Sequence, residues 1–440
     1  MKTNLDLGKL CSDTLNSILI WIPIPQNFNN SFSDKISAIY VYDTINANDY
    51  LIGIEHNDIY KHDIVEVCRL FKIHKKIIFN SNIFIEHSME NKIDMELMNW
   101  IISGDAMKTN FTEISRKNYK IYDNMRHIKT INNFVPIMPF VDSCREIRNE
   151  ALIDAINIKE LHGFNFYNDI VLRELGIIEK NGICVDVNNF KKYFNVDTEK
   201  IRYSKYNIYT RTGRPSNIDS IVNFSALNKS TGVRSIIISR FEKGKLVEFD
   251  YESHHFRLLG QLLNYKFTCR NIHEYFGKIY FETSELTPEQ YEQSKLISFR
   301  QLYGETDDEF SELEFFKKIQ EYKIELWKKF EIEGYIETPI AKKRILKKHH
   351  KKMNLNKLFN YLLQAYETEH NLLVMKEINR ILEFKNTKLI LYTYDSFLLD
   401  FDITEGKNII AEIKSAIEKN DMFSVIKIGN NFDEMHVTNF

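Results

Sequence analysis

The chain has 440 residues, of which 43% are hydrophobic and 13% aromatic, with only 15 Gly and 7 Pro. This composition excludes collagen-like and disordered material, and it is sufficient for two or three domains that each have their own core. The formal net charge is -2, so no overall positive charge indicates a nucleic-acid partner. A local positive groove stays compatible with this balance, because the field near a surface follows local charge.

The cysteines and the one long apolar run indicate the compartment. The five cysteines include no C-x-x-C pair, which argues against a zinc site or a disulfide framework. The run from Leu15 to Ile22 ends at Pro23 and Pro25. It is too short for a membrane span, and no small-residue cleavage site follows it. We therefore expect a cytoplasmic protein with no membrane partner.

Residues 1–145 alternate strand-like and helical patterns, which predicts an α/β module. The clearest strands are Ser37–Tyr42 and Lys76–Phe79, with a helix over Asp58–Phe71 between them. A helical run follows from Ile158, and the Asn181-Gly182 step between two apolar runs predicts a turn.

A first candidate site is a strand that ends in an acid. The apolar run that starts at Lys245 ends at Asp250, and a helical pattern begins near Phe256. A strand-end Asp can hold Mg²⁺ while the next backbone carbonyl adds a ligand. The alternative is that Asp250 caps the following helix.

A second acid lies between two apolar runs. Asp395 sits at the centre of Leu389–Phe401, as expected for the tip of a β-hairpin. A lone buried Asp usually has a structural hydrogen-bond partner. Two such carboxylates side by side could instead bridge two metal ions about 3.5–4 Å apart, which stabilise the oxygens of an in-line phosphoryl transfer.

A third pattern places Lys295, Phe299 and Tyr303 at i, i+4 and i+8, on one face of a predicted helix. A cation for phosphates, a ring for a sugar or base, and a Tyr-Gly step at the helix end would suit an incoming nucleotide. An ordinary amphipathic helix is the alternative.

In chain order these three segments resemble motifs A, B and C of the family A DNA polymerases, the group that includes bacterial DNA polymerase I. The resemblance covers roughly residues 150–440. The other matching pieces are Thr212-Gly-Arg214 (T-G-R), Asn223 with Leu227-Asn228 (N-L-Q-N), Val233-Arg234 (I-R), Asn271-Ile-His273 (D-I-H), and the pair Asn360 and Gln364 (N-x-x-x-Q).

The resemblance implies an α/β right-hand polymerase: a palm with an antiparallel sheet, helical fingers over about 260–340 and a reduced thumb. A small α/β domain over 1–145 would precede it, then a linker and reduced thumb over 146–210, then palm and fingers over 211–440. The implied reaction is attack of a primer 3′-hydroxyl on the α-phosphate of a dNTP, directed by template DNA and using two Mg²⁺ ions.

The resemblance also implies roles for the matched residues. Asp250 and Asp395 would hold the metal ions, with the Tyr251 carbonyl completing one site. Lys295 and His273 would neutralise phosphate charge as pyrophosphate leaves.

The other matched residues would contact the sugar, the base pair and the duplex. Phe299 would lie against the sugar, and Tyr303 would close the floor under the nascent base pair. Arg214 would contact the primer–template duplex, and Asn360 and Gln364 would track it as it grows.

Several positions depart from the family pattern. His255 stands where the family has its steric-gate Glu, and an imidazole could either block a 2′-hydroxyl or donate a hydrogen bond to it. Sugar selection is therefore open. Tyr291 replaces an expected arginine, and Tyr394-Asp395-Ser396 lacks the third, weaker carboxylate of motif C.

Only 25 residues separate Asp186 from Thr212, where the family inserts its thumb. We therefore expect a weak grip on duplex DNA and low processivity unless a processivity or replisome protein compensates. The compact build would suit a viral or mobile-element enzyme, which would act in the host cytoplasm if viral.

The N-terminal region resembles a shortened proofreading exonuclease. Asp43-Thr44-Ile45 stands where such nucleases carry D-x-E, and Ile45 cannot bind a metal. A second element around Asn80, Phe84 and Ile85 also lacks its acid, so we expect no proofreading. An unrelated α/β domain is the alternative.

Seven of the eleven residues from Lys342 to Lys352 are Lys or Arg. We expect this run, in particular Lys342, Lys343 and Arg344, to bind template phosphates. The alternative is that the run is a charged face exposed to solvent.

Two other functions stay open at this point. One is a single-subunit RNA polymerase, whose related palm can carry D-S in motif C. The other is a catalytically inactive polymerase fold that binds DNA as a replication scaffold.

Overall fold

The computed structural model describes residues 2–3, 5–25, 36–56, 59–79, 91–103, 138–155, 163–219, 221–304, 309–349 and 352–438. Two compact units divide the chain, Met1–Gly176 and Ile177–Phe440. The division falls inside the 146–210 segment that the sequence assigns to a linker and reduced thumb. The boundaries of palm, fingers and thumb stay predictions.

The first unit contains a five-stranded mixed sheet in the order β3-β2-β1-β4-β5. Strands β1, β2 and β3 pair antiparallel, and β1, β4 and β5 pair parallel. The sequence predicts an α/β module here, and the structure has one. The strands are β1 Ile18–Pro25, β2 Ile36–Asp43, β3 Asn48–Gly53, β4 Lys75–Ile78 and β5 Lys92–Asp94.

Helices cover this sheet and continue the chain towards the second unit. The helix predicted over 58–71 begins at Ile64, because the Asp63 carboxylate accepts a hydrogen bond from the Val65 N–H and caps it. The helices are α1 Leu7–Asp13, α2 Ile64–Leu70, α3 Met95–Ser103, α4 Met138–Ala155, α5 Phe164–Phe166 with a π-helical turn Tyr167–Val171, and α6 Leu172–Asn181, which crosses the division.

The second unit is built on a five-stranded sheet in the order β13-β14-β10-β15-β16, antiparallel throughout. Its central strand is β10, which pairs with β14 on one side and β15 on the other. The strands are β10 Lys245–Tyr251, β13 Lys388–Thr393, β14 Ser396–Phe401, β15 Ser424–Gly429 and β16 His436–Val437.

Three two-stranded sheets lie outside this central sheet, and the strands of each pair run antiparallel. They consist of β6 Ile183–Cys184 with β7 Ile201–Arg202, β8 Lys205–Asn207 with β9 Ser216–Ile218, and β11 Tyr335–Glu337 with β12 Arg344–Leu346.

An aromatic core joins the helices of the second unit. Phe256, Phe276, Phe315 and Phe316 are buried within one cluster, and this packing fixes the helix that presents Lys295. None of the helices in the described ranges is long and apolar enough to cross a membrane. The helices are α7 Val187–Phe194, α8 His254–Leu262, α9 Ile272–Tyr280, α10 Pro288–Tyr303, α11 Glu314–Glu333, α12 Leu355–Ile381 and α13 Asn408–Ile417.

A buried ion pair holds the end of β14 that lies away from the two acids. Asp400 on β14 is fully buried, and it accepts hydrogen bonds from the Arg240 Nε and the Ser239 hydroxyl, both at 2.6 Å. The Arg240 guanidinium also donates to the carbonyls of Asn181 and Gly182. The carboxylate thus connects β14 to the loop that leads into β6.

We expect Asp400→Ala to lower the free energy of unfolding by about 3–5 kcal/mol, because it leaves the Arg240 guanidinium without its buried counter-ion. Urea denaturation followed by circular dichroism measures this change. Glu377→Ala, on the exposed end of α12, is the control and should change stability by less than about 1 kcal/mol. Equal effects of the two substitutions would contradict a structural role for Asp400.

Candidate active site

The central sheet brings the two predicted acids together. Asp250 pairs in register with Ser396, the residue directly after Asp395. The backbone N–H of Tyr251 donates to the carbonyl oxygen of Asp395 at 2.9 Å. Since neighbouring strands lie about 4.7–4.9 Å apart, the two acids lie at one end of β10 and β14.

Asp250 influences the ionisation of Asp395. The pKa of Asp395 is raised to about 6, first by burial and then by the negative charges of Asp250 and Glu367. Asp395 is solvent-accessible at the turn, and a carboxylate next to like charges is stabilised by any cation that enters. This end of the sheet therefore attracts positive charge.

Both acids stand beside sharp turns. Tyr394, in the two-residue turn between β13 and β14, has a φ of +54°, and Ser253, between β10 and α8, has a φ of +52°. Such left-handed backbone is costly for residues other than glycine. The Asn371 side chain supports the first turn by donating to the Tyr394 carbonyl and, at 3.3 Å, to the Tyr392 hydroxyl.

A lysine that sequence reasoning missed neutralises Asp250. The Lys427 Nζ on β15 donates to Asp250 at 2.6 Å and to Glu248 at 3.0 Å. The three residues lie on one face, because Glu248 and Asp250 are two apart on β10 and Lys427 pairs with Glu248 in register. Its ammonium therefore balances the charge of both β10 carboxylates.

The donor set fits a hard divalent cation. Carboxylate and backbone carbonyl oxygens are the ligands that Mg²⁺ prefers, and Mg²⁺ commonly needs only one or two carboxylates when a substrate phosphate supplies the rest. Across the described ranges, no group of three or more His, Cys, Asp and Glu side chains is arranged to hold a metal. The Asp250 and Asp395 pair is therefore an incomplete site that depends on further ligands.

Helix α10 presents the predicted nucleotide-binding face. The rings of Phe299 and Tyr303 stack with their planes 15° apart and their centroids 6.1 Å apart. The His273 ring, on α9, lies 5.3 Å from Phe299. His273, Phe299 and Tyr303, all more than 20 positions from either acid in sequence, thus form a continuous row with Tyr303 at one end.

Lys295 stands on the same face of α10, two turns before Tyr303. Its Nζ contacts the Glu292 carboxylate at 2.7 Å and lies 4.4 Å from the centre of the Tyr291 ring. Tyr291, which replaces an expected arginine, therefore faces the lysine as an aromatic partner. The Lys295 side chain is 32% exposed, so a phosphate can reach it.

The role of His273 in neutralising phosphate charge stays a prediction, and its ring is buried. Burial, followed by the nearby Lys295 cation, lowers the pKa of His273 to about 4. Its buried Nδ1 has no hydrogen-bond partner within the described part of the chain. A neutral imidazole can donate a hydrogen bond but supplies no positive charge.

Glu367 lies between His255, at the steric-gate position, and Arg214 of the T-G-R element. Its Oε1 lies 3.1 Å from the His255 Nε2, and its Oε2 lies 3.2 Å from the Arg214 Nε. Both are ion-pair contacts that are not aligned as hydrogen bonds. The Arg214 guanidinium also lies 3.7 Å from the centre of the Tyr394 ring, beside Asp395. Glu367 itself is almost fully buried.

The two residues predicted to track the duplex lie on one stripe of α12. Asn360 and Gln364 are half-buried, and Glu367 and Asn371 continue the same face at i+7 and i+11. The Asn360 Oδ1 is buried and has no partner among the described residues. This polar stripe ends at Asn371, which supports the Asp395 turn.

The basic run divides into different environments. Lys342 is exposed at the turn between β11 and β12, with a φ of +61°. Arg344 is half-buried and lies 3.4 Å from Glu337 and 4.1 Å from the Tyr335 ring centre. The prediction that Lys343 contacts DNA is not supported, because Lys343 is buried and its pKa is lowered to about 8 by burial, which the charge of Glu369 opposes. Residues 350 and 351 lie outside the described ranges.

Asp43, the remaining acid of the exonuclease-like element, has a local structural role. Its carboxylate accepts hydrogen bonds from the backbone N–H groups of Ile45 and Asn46 and from the Asn46 amide. It therefore stabilises the turn between β2 and β3. The second element, around Asn80, Phe84 and Ile85, lies outside the described residues.

The chain matches known proteins in structure but not in sequence. No family model matches the sequence, and no curated protein matches it. The POL domain of Pol1 from M. smegmatis, solved in complex with DNA primer-template and dNTP, superposes over 99% of this chain and 99% of that chain with a TM-score of 0.73 and 11% sequence identity. A likeness at this identity shows the fold. The chain therefore has the fold of a family A DNA polymerase POL domain, and the predicted fold class is confirmed.

Proposed function

We propose that the chain is a DNA-directed DNA polymerase that adds dNTPs to a primer 3′ end. The observation that carries the proposal is the pairing of Asp250 with the Asp395 turn at one end of the central sheet. The shared fold with a polymerase domain adds support, because that domain binds primer-template and dNTP.

The two acids would hold Mg²⁺, with the Tyr251 carbonyl as a further ligand. Bound as a pair, such ions stabilise the attacking and leaving oxygens of a phosphoryl transfer. Lys427 fills part of this negative site in the free chain, and its flexible side chain can turn away from Asp250 when a stronger cation binds.

Helices α9 and α10 would hold the nucleotide. Phe299 and Tyr303 offer stacked ring faces to the sugar and the base pair. Lys295 supplies a positive charge for the phosphates, and the neutral His273 supplies a hydrogen-bond donor. A triphosphate that binds beside His273 would raise its pKa, because an anion favours the charged ring.

The DNA would contact the polar stripe of α12 and the T-G-R arginine. Asn360 and Gln364 can hydrogen-bond to the duplex, and Arg214 can exchange part of its contact with Glu367 for a phosphate or base. Lys342 and Arg344 would add phosphate contacts. Lys343 is left out of this interface because it is buried.

We propose no proofreading activity for the N-terminal unit, since Asp43 is engaged in a turn and Ile45 follows it. We also propose that the chain holds the duplex weakly and that a partner protein raises its processivity. Both follow from the short segment between Asp186 and Thr212.

One observation favours the scaffold alternative. Lys427 forms an ion pair with Asp250, and such a pair is also what an acid with a purely structural role would show. Primer extension distinguishes the two functions.

We expect wild type to extend a primer in the presence of Mg²⁺. Asp250→Asn or Asp395→Asn should slow extension at least about a thousandfold, since each removes several kcal/mol of transition-state stabilisation. A single-nucleotide gel assay measures the rates, and fluorescence anisotropy with labelled primer–template confirms that DNA binding persists.

Glu377→Gln, on an exposed ion pair of α12, is the control and should extend at the wild-type rate. DNA binding without extension by wild type would support the scaffold instead. Extension that survives both Asp substitutions would contradict the proposed site.

The raised pKa of Asp395 predicts that Mg²⁺ affinity depends on pH. Protons and Mg²⁺ compete for the same carboxylate, and the pKa of about 6 sets where that competition begins. We expect affinity to be constant above about pH 7 and to fall by about tenfold for each unit below pH 6. Calorimetric titration measures it, and a constant affinity from pH 5 to 8 would exclude Asp395 as a ligand.

A further inference from the structure

Tyr291 stands one helical turn before Lys295 on α10, where the resemblance leads us to expect an arginine. Its ring is a partner of the lysine: the Lys295 Nζ lies 4.4 Å from the ring centre. A cation at this distance is attracted by the negative face of the aromatic ring. Since both residues continue the four-residue spacing of Phe299 and Tyr303, the contact belongs to the row that would face the nucleotide.

The Tyr291 side chain is held at its hydroxyl as well as by its helix. The hydroxyl donates a hydrogen bond to the Asn271 Oδ1 at 3.5 Å. The same oxygen accepts from the Glu274 N–H at 3.1 Å and caps the start of α9, two residues before His273. The half-buried ring is therefore connected to both helices of the proposed nucleotide site.

The second contact of Lys295 is of a different kind. Its Nζ lies 2.7 Å from the Glu292 carboxylate, whose side chain is 68% exposed. Exposed ion pairs contribute little to stability and are screened by salt, so a phosphate can take the place of this carboxylate. An ammonium has three N–H donors, and the ring contact leaves donors for that phosphate.

The ammonium also lies close to the second helix of the site. The positive charge of Lys295 contributes, after burial, to the lowered pKa of His273. Such an effect requires the two groups to be near each other. An anion that reaches His273 would therefore also meet the field of Lys295.

We propose that Tyr291 is a positioning residue that holds the Lys295 ammonium at the nucleotide site. Without nucleotide, the ammonium rests between the Tyr291 ring and the Glu292 carboxylate. When a nucleoside triphosphate binds, its phosphates replace Glu292, and the ring keeps the ammonium where it meets them. The tyrosine thus orients a neighbouring cation, whereas an arginine would contact phosphate itself. This inference rests on the proposed polymerase function.

Nucleotide affinity tests the proposal without turnover. The probe is a dNTP analogue with an α,β-imido bridge, and calorimetric titration measures its Kd for the full chain bound to primer–template and Mg²⁺. We expect Tyr291→Leu to raise Kd about three- to fivefold, because the ring contact with the ammonium is lost. Tyr291→Phe keeps the ring and should retain most of the affinity. Tyr291→Gln keeps a polar group for Asn271 but no ring, so it should behave like Tyr291→Leu.

A double-mutant cycle shows whether the ring acts through the lysine. In a Lys295→Met background, Tyr291→Leu should change Kd by less than about twofold, since the ammonium that the ring positions is absent. Glu292→Gln should lower Kd, because it removes the carboxylate that competes with the phosphates. The control is Tyr193→Leu on α7, where the Lys192 Nζ lies 5.4 Å from the ring centre. It should leave Kd unchanged.

Thermal melting identifies any variant that does not fold, and Tyr291→Gln replaces Tyr291→Leu in the comparison if the latter is one of them. An unchanged Kd in the folded ringless variants would overturn the inference alone. A loss of the same size with and without Lys295 would also overturn it, since the ring would then act in another way. A wild type that binds no analogue and extends no primer would overturn the polymerase function and this inference with it.

Discussion

The antiparallel pairing of β10 with β14 is the constraint on which the site depends. Asp250 is the next-to-last residue of β10 and Asp395 is the last turn residue before β14, and the register that pairs Asp250 with Ser396 brings the acids to one place. A one-residue slip would turn one of them to the opposite face of the sheet. The buried network around Asp400 holds the other end of β14, so stability and site geometry share a strand.

Negative charge is concentrated around the two acids and is balanced by nearby cations. The buried Glu367 and the solvent-accessible Asp395 lie near each other, and Asp250 adds a third carboxylate. Arg214, from the T-G-R loop, pairs with Glu367, and Lys427 on β15 pairs with Asp250. Two cations from distant parts of the sequence thus balance the three carboxylates.

The sequence indicates where the two acids stand relative to strands, but not which residues surround them. Asp250 and Asp395 each follow an apolar strand pattern, which a single sequence reveals, whereas strand register comes from long-range packing. Glu367 was missed because it is one polar residue in a long helix, although its i+7 spacing from Asn360 continues the stripe. Lys343 was assigned to DNA because composition cannot tell which residues of a basic hairpin are buried.

The central claim is that Asp250 and Asp395 together bind the divalent cations that drive nucleotide transfer. Anomalous diffraction from crystals grown with Mn²⁺, primer–template and a non-reactive dNTP analogue tests it most directly. The account predicts anomalous density in contact with both carboxylates and the Lys427 ammonium displaced from Asp250. Density elsewhere, with Lys427 still paired to Asp250 in the loaded complex, would contradict it.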